Sequence, residues 1–136
     1  MNQQQLRDRT KTFAREVVRF CHSLSNEWDI REMGKQLLRS GTSVAANYRA
    51  VGRARSDKEF CSKLGVVVEE ADESQLWLEL LPAADQTISS KSHAGLLREA
   101  GELTAIFTAS HTTAKRNLAE KKAKKKKGRA TDAARP

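Results

Sequence analysis

The chain has 136 residues, only two prolines and seven glycines, 38% hydrophobic residues and a formal net charge of +8. This length and a composition dominated by Ala, Leu, Glu, Lys and Arg favour a single all-helical domain. No apolar run approaches the ~18 residues that a membrane span needs, and no signal-type apolar stretch opens the chain, so a cytoplasmic protein without membrane contact is expected.

The first helix is predicted to begin near Asp8 or Thr10 and to end near residue 24. Its apolar residues recur at steps of four, three and four on one face, and they are Phe13, Val17, Phe20 and Leu24. The second helix is expected to open at Asp29, whose spacing to Glu32 is that of a capping box. Its apolar residues continue to Val51, with Gly41 filling the one gap in the pattern.

Gly41 costs the second helix about 1 kcal/mol of propensity relative to Ala, so its presence predicts a close approach of a neighbouring helix. Gly52 is predicted to end this helix in the left-handed conformation. The third helix begins with Ser56 and Glu59 in the spacing of a capping box, and Pro82 marks its end or a kink close to it.

A second apolar stripe runs beside the core stripe of the third helix. It is predicted to be an oligomer interface, and its residues are Val66, Trp77 and Leu80. The fourth helix is predicted over residues 93–120, after which the apolar pattern stops. The ten basic and two acidic residues from Lys115 onward account for the whole net charge of the chain.

These elements predict an antiparallel up-down-up-down four-helix bundle followed by a disordered basic tail. The division is residues 1–119 for the bundle and 120–136 for the Lys-rich tail. Cys21 and Cys61 lie in helical apolar context without a CxxC partner, so reduced thiols are expected.

Two stretches carry a resemblance to a known family. Residues 36–50 resemble the second-helix signature of the bacterial four-helix bundle proteins encoded by intervening sequences in 23S rRNA genes, also called S23 ribosomal proteins. Residues 53–81 resemble the third helix of that family. The family often closes its second helix with Glu-Gly, whereas Val51 precedes Gly52 here, and the Lys-rich tail is outside the family pattern.

The resemblance implies a homo-oligomeric ring, with pentamers as the habit of the family. It also implies kinship with accessory proteins of diversity-generating retroelements, which bind nucleic acid and associate with a reverse transcriptase. RNA or DNA and a reverse transcriptase are therefore the partners that the resemblance suggests.

A basic cluster surrounds the corner between the second and third helices, and its residues are Arg49, Arg53, Arg55 and Lys58. Together with the tail, it predicts sequence-independent binding of RNA or DNA phosphates. The basic tail residues are Lys121, Lys122, Lys124, Lys125, Lys126, Lys127 and Arg129. The alternatives are that the corner cations pair with Asp57, Glu59 and other acids of the third helix, and that the tail only adds solubility.

No catalytic residue, metal site or cofactor is predicted. The acids Glu69, Glu70, Asp72 and Glu73 lie on one helix, and no histidine has a glutamate three residues earlier, as a di-iron bundle requires. Salt bridges to Arg15, Arg19 or Arg39 are expected instead. The sequence thus favours a non-enzymatic, oligomeric nucleic-acid-binding bundle, with an adaptor ring that docks a protein partner as the alternative.

Overall fold

Four antiparallel helices make up this computed structural model, which describes the backbone of residues 1–134 and the side chains of residues 1–131. They are α1 (Gln3–His22), α2 (Trp28–Val51), α3 (Asp57–Ala84) and α4 (Lys91–Ala134). Each helix packs against the next one along the chain, and α1 also touches α4. The predicted all-α up-down-up-down bundle is confirmed.

The core consists of the predicted apolar stripes. The large side chains at its centre are Phe13, Val17, Leu37, Val44, Leu64, Leu78, Leu103 and Phe107. The ring centroids of Tyr48 on α2 and Phe107 on α4 lie 5.1 Å apart. Each fully buried side chain of this size stabilises the bundle by about 1.5–3 kcal/mol relative to an exposed one, so the four stripes are enough to define the fold.

Two helix starts differ from the sequence-based expectation. Helix α1 begins at Gln3, because Asn2 and Gln5 form a reciprocal capping box with N–O distances of 2.8 and 2.9 Å. Helix α2 begins at Trp28 after Glu27, which makes no capping bond with its side chain. The expected Asp29 cap is wrong, since Asp29 lies inside the helix and accepts from the Ile30 N–H at 2.9 Å.

At the corner between α2 and α3, one of the two predicted features is present and the other is not. Ser56 caps α3 by accepting from the Glu59 N–H at 3.0 Å, which confirms the expected start. Gly52 ends α2 in the right-handed conformation, with φ of −64°, so the prediction of a left-handed glycine is wrong. The chain instead continues for one more turn, with the Arg53 N–H donating to the Ala50 carbonyl at 3.0 Å.

Gly41 lies where α1 and α2 approach each other most tightly. A Cβ atom at this position would lie 2.8 and 2.9 Å from the two γ carbons of Val17, which is itself fully buried. The predicted close packing is confirmed. The helices α2 and α3 approach in a similar way through Ser40 and Ser74, whose buried hydroxyl oxygens lie 2.9 Å apart.

We expect Gly41→Ala to lower the free energy of unfolding by about 1–2 kcal/mol, because the overpacking cost exceeds the gain of about 1 kcal/mol in helix propensity. Gly95→Ala is the matched control, since a Cβ there would meet no atom within 4 Å. That substitution should raise the free energy of unfolding by up to about 1 kcal/mol. Urea unfolding followed by circular dichroism measures the free energy of unfolding of both variants. Changes of the same sign would contradict close packing at Gly41.

Pro82 lies inside α3 and leaves one backbone carbonyl without its usual donor. A residue other than proline at position 82 would donate its N–H to the carbonyl of Leu78 in an α-helix. In this structure His93 of α4 takes that role, with Nε2 2.7 Å from the Leu78 oxygen. A carbonyl oxygen only accepts, so Nε2 carries the hydrogen, and a side chain of one helix completes the backbone of another.

Helix α4 does not end near residue 120 as predicted, but continues to Ala134. The lysines, alanines and arginines of this segment have high helix propensity, and the packed part of α4 already provides the nucleus for it. Every described side chain from residue 120 to 131 is exposed, so this segment leaves the bundle as a basic tail. Its helical form differs from the disorder that was expected for it, and Arg135 and Pro136 lie outside the described residues.

Candidate nucleic-acid interface

One end of the bundle carries both groups of basic residues that the sequence singled out. The antiparallel order brings the start of α1, the end of α2 and the start of α3 together at this end. Lys121 of α4 forms an ion pair with Asp57 at the start of α3, which places the departing tail there as well. We call this part of the molecule the basic end.

A groove of about 910 Å³ runs between α1 and α2 at the basic end. Its floor is formed by Ala45 and Ala46, whose small side chains keep it open. Its basic walls define what we call the basic groove, and they consist of Arg7 and Lys11 from α1, Arg49 from α2 and Arg53 from the turn that follows α2. The four-residue step from Arg7 to Lys11 places both cations on one face of α1, and Arg49 and Arg53 line the opposite wall.

The cations of the basic groove are available to a ligand. All four are exposed, and none takes part in an ion pair among residues 1–131. Arg7 donates to the Gln4 amide oxygen at 2.9 Å, and Gln4 in turn donates to Asp8 at 3.0 Å. Asp8 is the one acid in the lining, so the groove attracts anions and offers guanidinium groups that can bind a phosphate through two hydrogen bonds.

The predicted corner cluster divides into two pairs. Arg49 and Arg53 line the basic groove, whereas Arg55 lies 3.7 Å from Glu59 in an ion pair and Lys58 is exposed on the first turn of α3. The expected alternative, pairing with acids of α3, thus applies to Arg55 alone. An ion pair as exposed as this one is weak, so Arg55 is still able to meet a phosphate.

Sequence reasoning missed Arg7 and Lys11. The predicted start of α1 near Asp8 or Thr10 left Arg7 outside the helix. Its four-residue spacing to Lys11 therefore did not place the two cations on one helix face. The Asn2 and Gln5 capping box was the signal that could have found it, because a helix starting at Gln3 places both cations on one face.

The basic tail continues the same end of the molecule. We call residues 120–134 the basic extension. Its first turn borders a smaller groove of about 310 Å³ that Phe60 of α3 and Leu118 of α4 line together with Lys121 and Lys124. Beyond this groove the predicted tail cations are exposed on all sides of the helix.

The predicted interface residues lie on the outward side of α3. Val66 and Leu80 are 37% and 41% exposed, whereas Trp77 is half-buried and donates from Nε1 to Glu73 at 3.3 Å. Leu76, which the sequence reasoning did not select, is exposed beside them. Their role as an oligomer interface stays a prediction.

Charged residues elsewhere tie neighbouring helices together. Arg39 of α2 pairs with Glu73 and, at 3.1 Å, with Glu70, so of the three expected partners it is the one that meets the acids of α3. Arg9 of α1 binds Glu99 and Glu102 of α4 at 2.6 Å each. The hydrogen bond to Glu99 raises the pKa of Arg9 above its ordinary value.

The part of the chain that the structure describes holds no group of three or more His, Cys, Asp or Glu side chains arranged to bind a metal ion. Burial raises the pKa of the Cys21 thiol to about 11, so this thiol is protonated at neutral pH. Cys61 is buried, and both cysteines are free thiols. Within residues 1–134, no helix is long and apolar enough to cross a membrane.

Comparison with known proteins identifies a family and similar solved structures. The family described as 23S rRNA-intervening sequence protein matches residues 2–109. A crystal structure of a protein of unknown function from the S23 ribosomal protein family of Bacteroides thetaiotaomicron is similar to this chain at 31% identity, with a TM-score of 0.73. The similarity covers 82% of this chain and 99% of that one. No curated protein matches significantly.

Proposed function

The chain belongs to the 23S rRNA-intervening sequence protein family, and from that premise we propose that it is a non-enzymatic protein that binds nucleic acid through the phosphates. The basic groove and the basic extension are the two parts of the site. One observation carries the proposal: four cations without carboxylate partners among residues 1–131 face a groove at the same end from which the basic extension departs.

The chemistry of the site suits phosphates rather than bases. Arginine offers a planar fork of donors that matches a phosphate, and lysine adds a mobile charge. Base recognition in single strands depends on exposed aromatic rings, and the aromatic residues near the basic end, Tyr48 and Phe60, are buried and half-buried. Binding is therefore independent of sequence and weakens steeply as salt rises.

The groove variant Arg49→Gln with Arg53→Gln tests this proposal. We expect the double substitution to weaken binding of a labelled RNA or DNA by about tenfold or more near 0.1 M salt, and to reduce the salt slope by about 2. The matched control is Arg31→Gln with Arg98→Gln, which removes the same charge from two exposed positions away from the groove. Equal losses in both proteins would show that net charge alone acts, and would refute a site at the groove.

A second proposal concerns assembly. Val66, Leu76 and Leu80 expose apolar side chains along α3, a pattern that favours association of copies through this helix. If the copies close into a ring, the basic end is repeated once per subunit. This multivalency would raise the affinity for a long nucleic acid. Five subunits and a reverse transcriptase partner are suggested by family resemblance alone. Light scattering of the wild-type protein and of Val66→Glu measures the assembly.

A further inference from the structure

The proposed function leaves open which nucleic acid the basic extension prefers. The structure shows this segment as a continuous helix from the packed part of α4, and its cations are distributed around the helix axis. With about 3.6 residues per turn, the seven basic residues from Lys121 to Arg129 leave no sector wider than about 100° without a cation. A ligand that contacts only one face of this helix would thus leave the cations on the other faces without a phosphate partner.

The walls of a nucleic-acid groove present phosphates on both sides of an inserted helix. The major groove of B-form DNA is about 12 Å wide and admits a helix whose diameter with side chains is about 10–12 Å. The major groove of A-form RNA is deep and narrow, and a single strand has only one line of phosphates. The diameter of the helix and the distribution of its cations therefore both favour the major groove of B-form DNA.

We propose that the basic extension binds as a helix in the major groove of double-stranded DNA, where its cations meet the phosphates on both walls. This inference rests on the proposed function and adds the class of ligand. The extension has no large apolar side chain among its described residues, since Ala123, Gly128 and Ala130 lie between the charged and polar ones. It therefore lacks the apolar face with which a helix inserts into a lipid surface.

The stability of the helix in the extension should rise when its ligand binds. Seven pairs of cations lie three or four residues apart between Lys121 and Arg129, and like charges at these spacings oppose a helix. Gly128 weakens the helix further. Phosphates on the groove walls would neutralise this repulsion, so binding and helix formation should strengthen each other.

The test uses the full chain and three probes of one sequence with about 20 nucleotides per strand: a DNA duplex, the DNA single strand and the RNA duplex. Fluorescence anisotropy gives each affinity. We expect the DNA duplex to bind at least about fivefold more tightly than either other probe. A vesicle of anionic lipid serves as the fourth probe, for which no helical ordering is expected.

Two substitutions in the extension preserve every charge and change the helix in opposite directions. Ala123→Pro breaks it and should weaken binding of the DNA duplex by about tenfold, with less than about twofold effect on the single strand. Gly128→Ala meets no atom within 4 Å and should tighten duplex binding a few-fold, roughly as its propensity gain predicts. Ala123→Ser is the control and should leave all affinities unchanged.

The outcomes separate this inference from the proposed function. Equal binding of all three nucleic acids, or an equal effect of Ala123→Pro on each of them, would overturn the helix-in-groove assignment and leave the phosphate-binding function in place. Preferential binding of the lipid vesicle would overturn the assignment as well. Absence of binding to every nucleic acid would refute both proposals.

Discussion

Removal of the residues after Ala119 is expected to lower the affinity for nucleic acid by about 10²–10³-fold near 0.1 M salt, because each phosphate contact adds about 0.9 to the salt slope. The cut removes eight basic residues, the seven from Lys121 to Arg129 and Arg135, and we expect three to six of them to contact phosphates at once. The slope of the logarithm of affinity against that of salt should fall by about 3–5. Titration of a labelled polymer between about 50 and 200 mM salt measures both quantities.

The shortened chain should keep its fold, because every described side chain from residue 120 to 131 is exposed. The ion pair between Lys121 and Asp57 is lost, and exposed pairs contribute little. A second protein, with Lys124, Lys125, Lys126 and Lys127 all changed to Gln, keeps the length and removes four charges. Its affinity should fall between those of the other two, whereas an unchanged affinity in both variants would show that the extension takes no part in binding.

The basic groove and the basic extension are expected to contribute differently to binding. The groove places four cations on backbone that belongs to the packed bundle, so that backbone does not have to be ordered when a phosphate enters. The extension carries more charge, and beyond its first turn it leaves the bundle. We therefore expect the extension to dominate affinity and salt dependence, and the groove to fix how the polymer lies on the bundle.

Periodicity in the sequence was sufficient to predict the fold. Residues three and four apart share a face of a helix, and a stripe such as Leu64, Val67, Ala71 and Leu78 has to be buried somewhere. Short connections then require neighbouring helices to be antiparallel. Gly41 was informative for the same reason, because a helix keeps a glycine where only a hydrogen atom fits.

The helix ends were harder to predict, and this limited the prediction of the site. Any Asp or Asn near a helix start satisfies the capping pattern, so the pattern alone does not show that Asn2 caps α1 and that Asp29 does not cap α2. The error at Asn2 removed Arg7 from the predicted site. The loss of the apolar stripe after residue 119 does not mark the end of α4, because a charged segment that continues a packed helix needs no new nucleus.

The bond between His93 and Leu78 was also beyond sequence reasoning, because it joins residues from two helices. Pro82 marks a carbonyl without a donor, but only the packing of α4 on α3 shows which side chain supplies one. Ser90 accepts from the His93 N–H at 3.1 Å and so places His93 in the first turn of α4. The imidazole is buried, and its ring centroid lies 6.0 Å from that of Phe20 on α1.

His93→Leu is expected to lower the free energy of unfolding by about 1–3 kcal/mol, because the buried Leu78 carbonyl loses its donor while the volume of the side chain is largely retained. In the Pro82→Ala background the same substitution should cost at least about 1 kcal/mol less, since the N–H of the new alanine can donate to Leu78 within the helix. Urea unfolding of the four proteins, followed by circular dichroism, gives this coupling energy.

Two controls make the cycle specific to the bond. His22→Leu changes an exposed histidine and should alter the free energy of unfolding by less than about 0.5 kcal/mol. His93→Gln keeps a side-chain N–H donor and should recover part of the loss. If the costs of His93→Leu and Pro82→Ala add to within about 0.5 kcal/mol, the histidine stabilises the bundle by packing alone. A coupling above that value would show that α4 completes the hydrogen bonding of α3 where proline interrupts it.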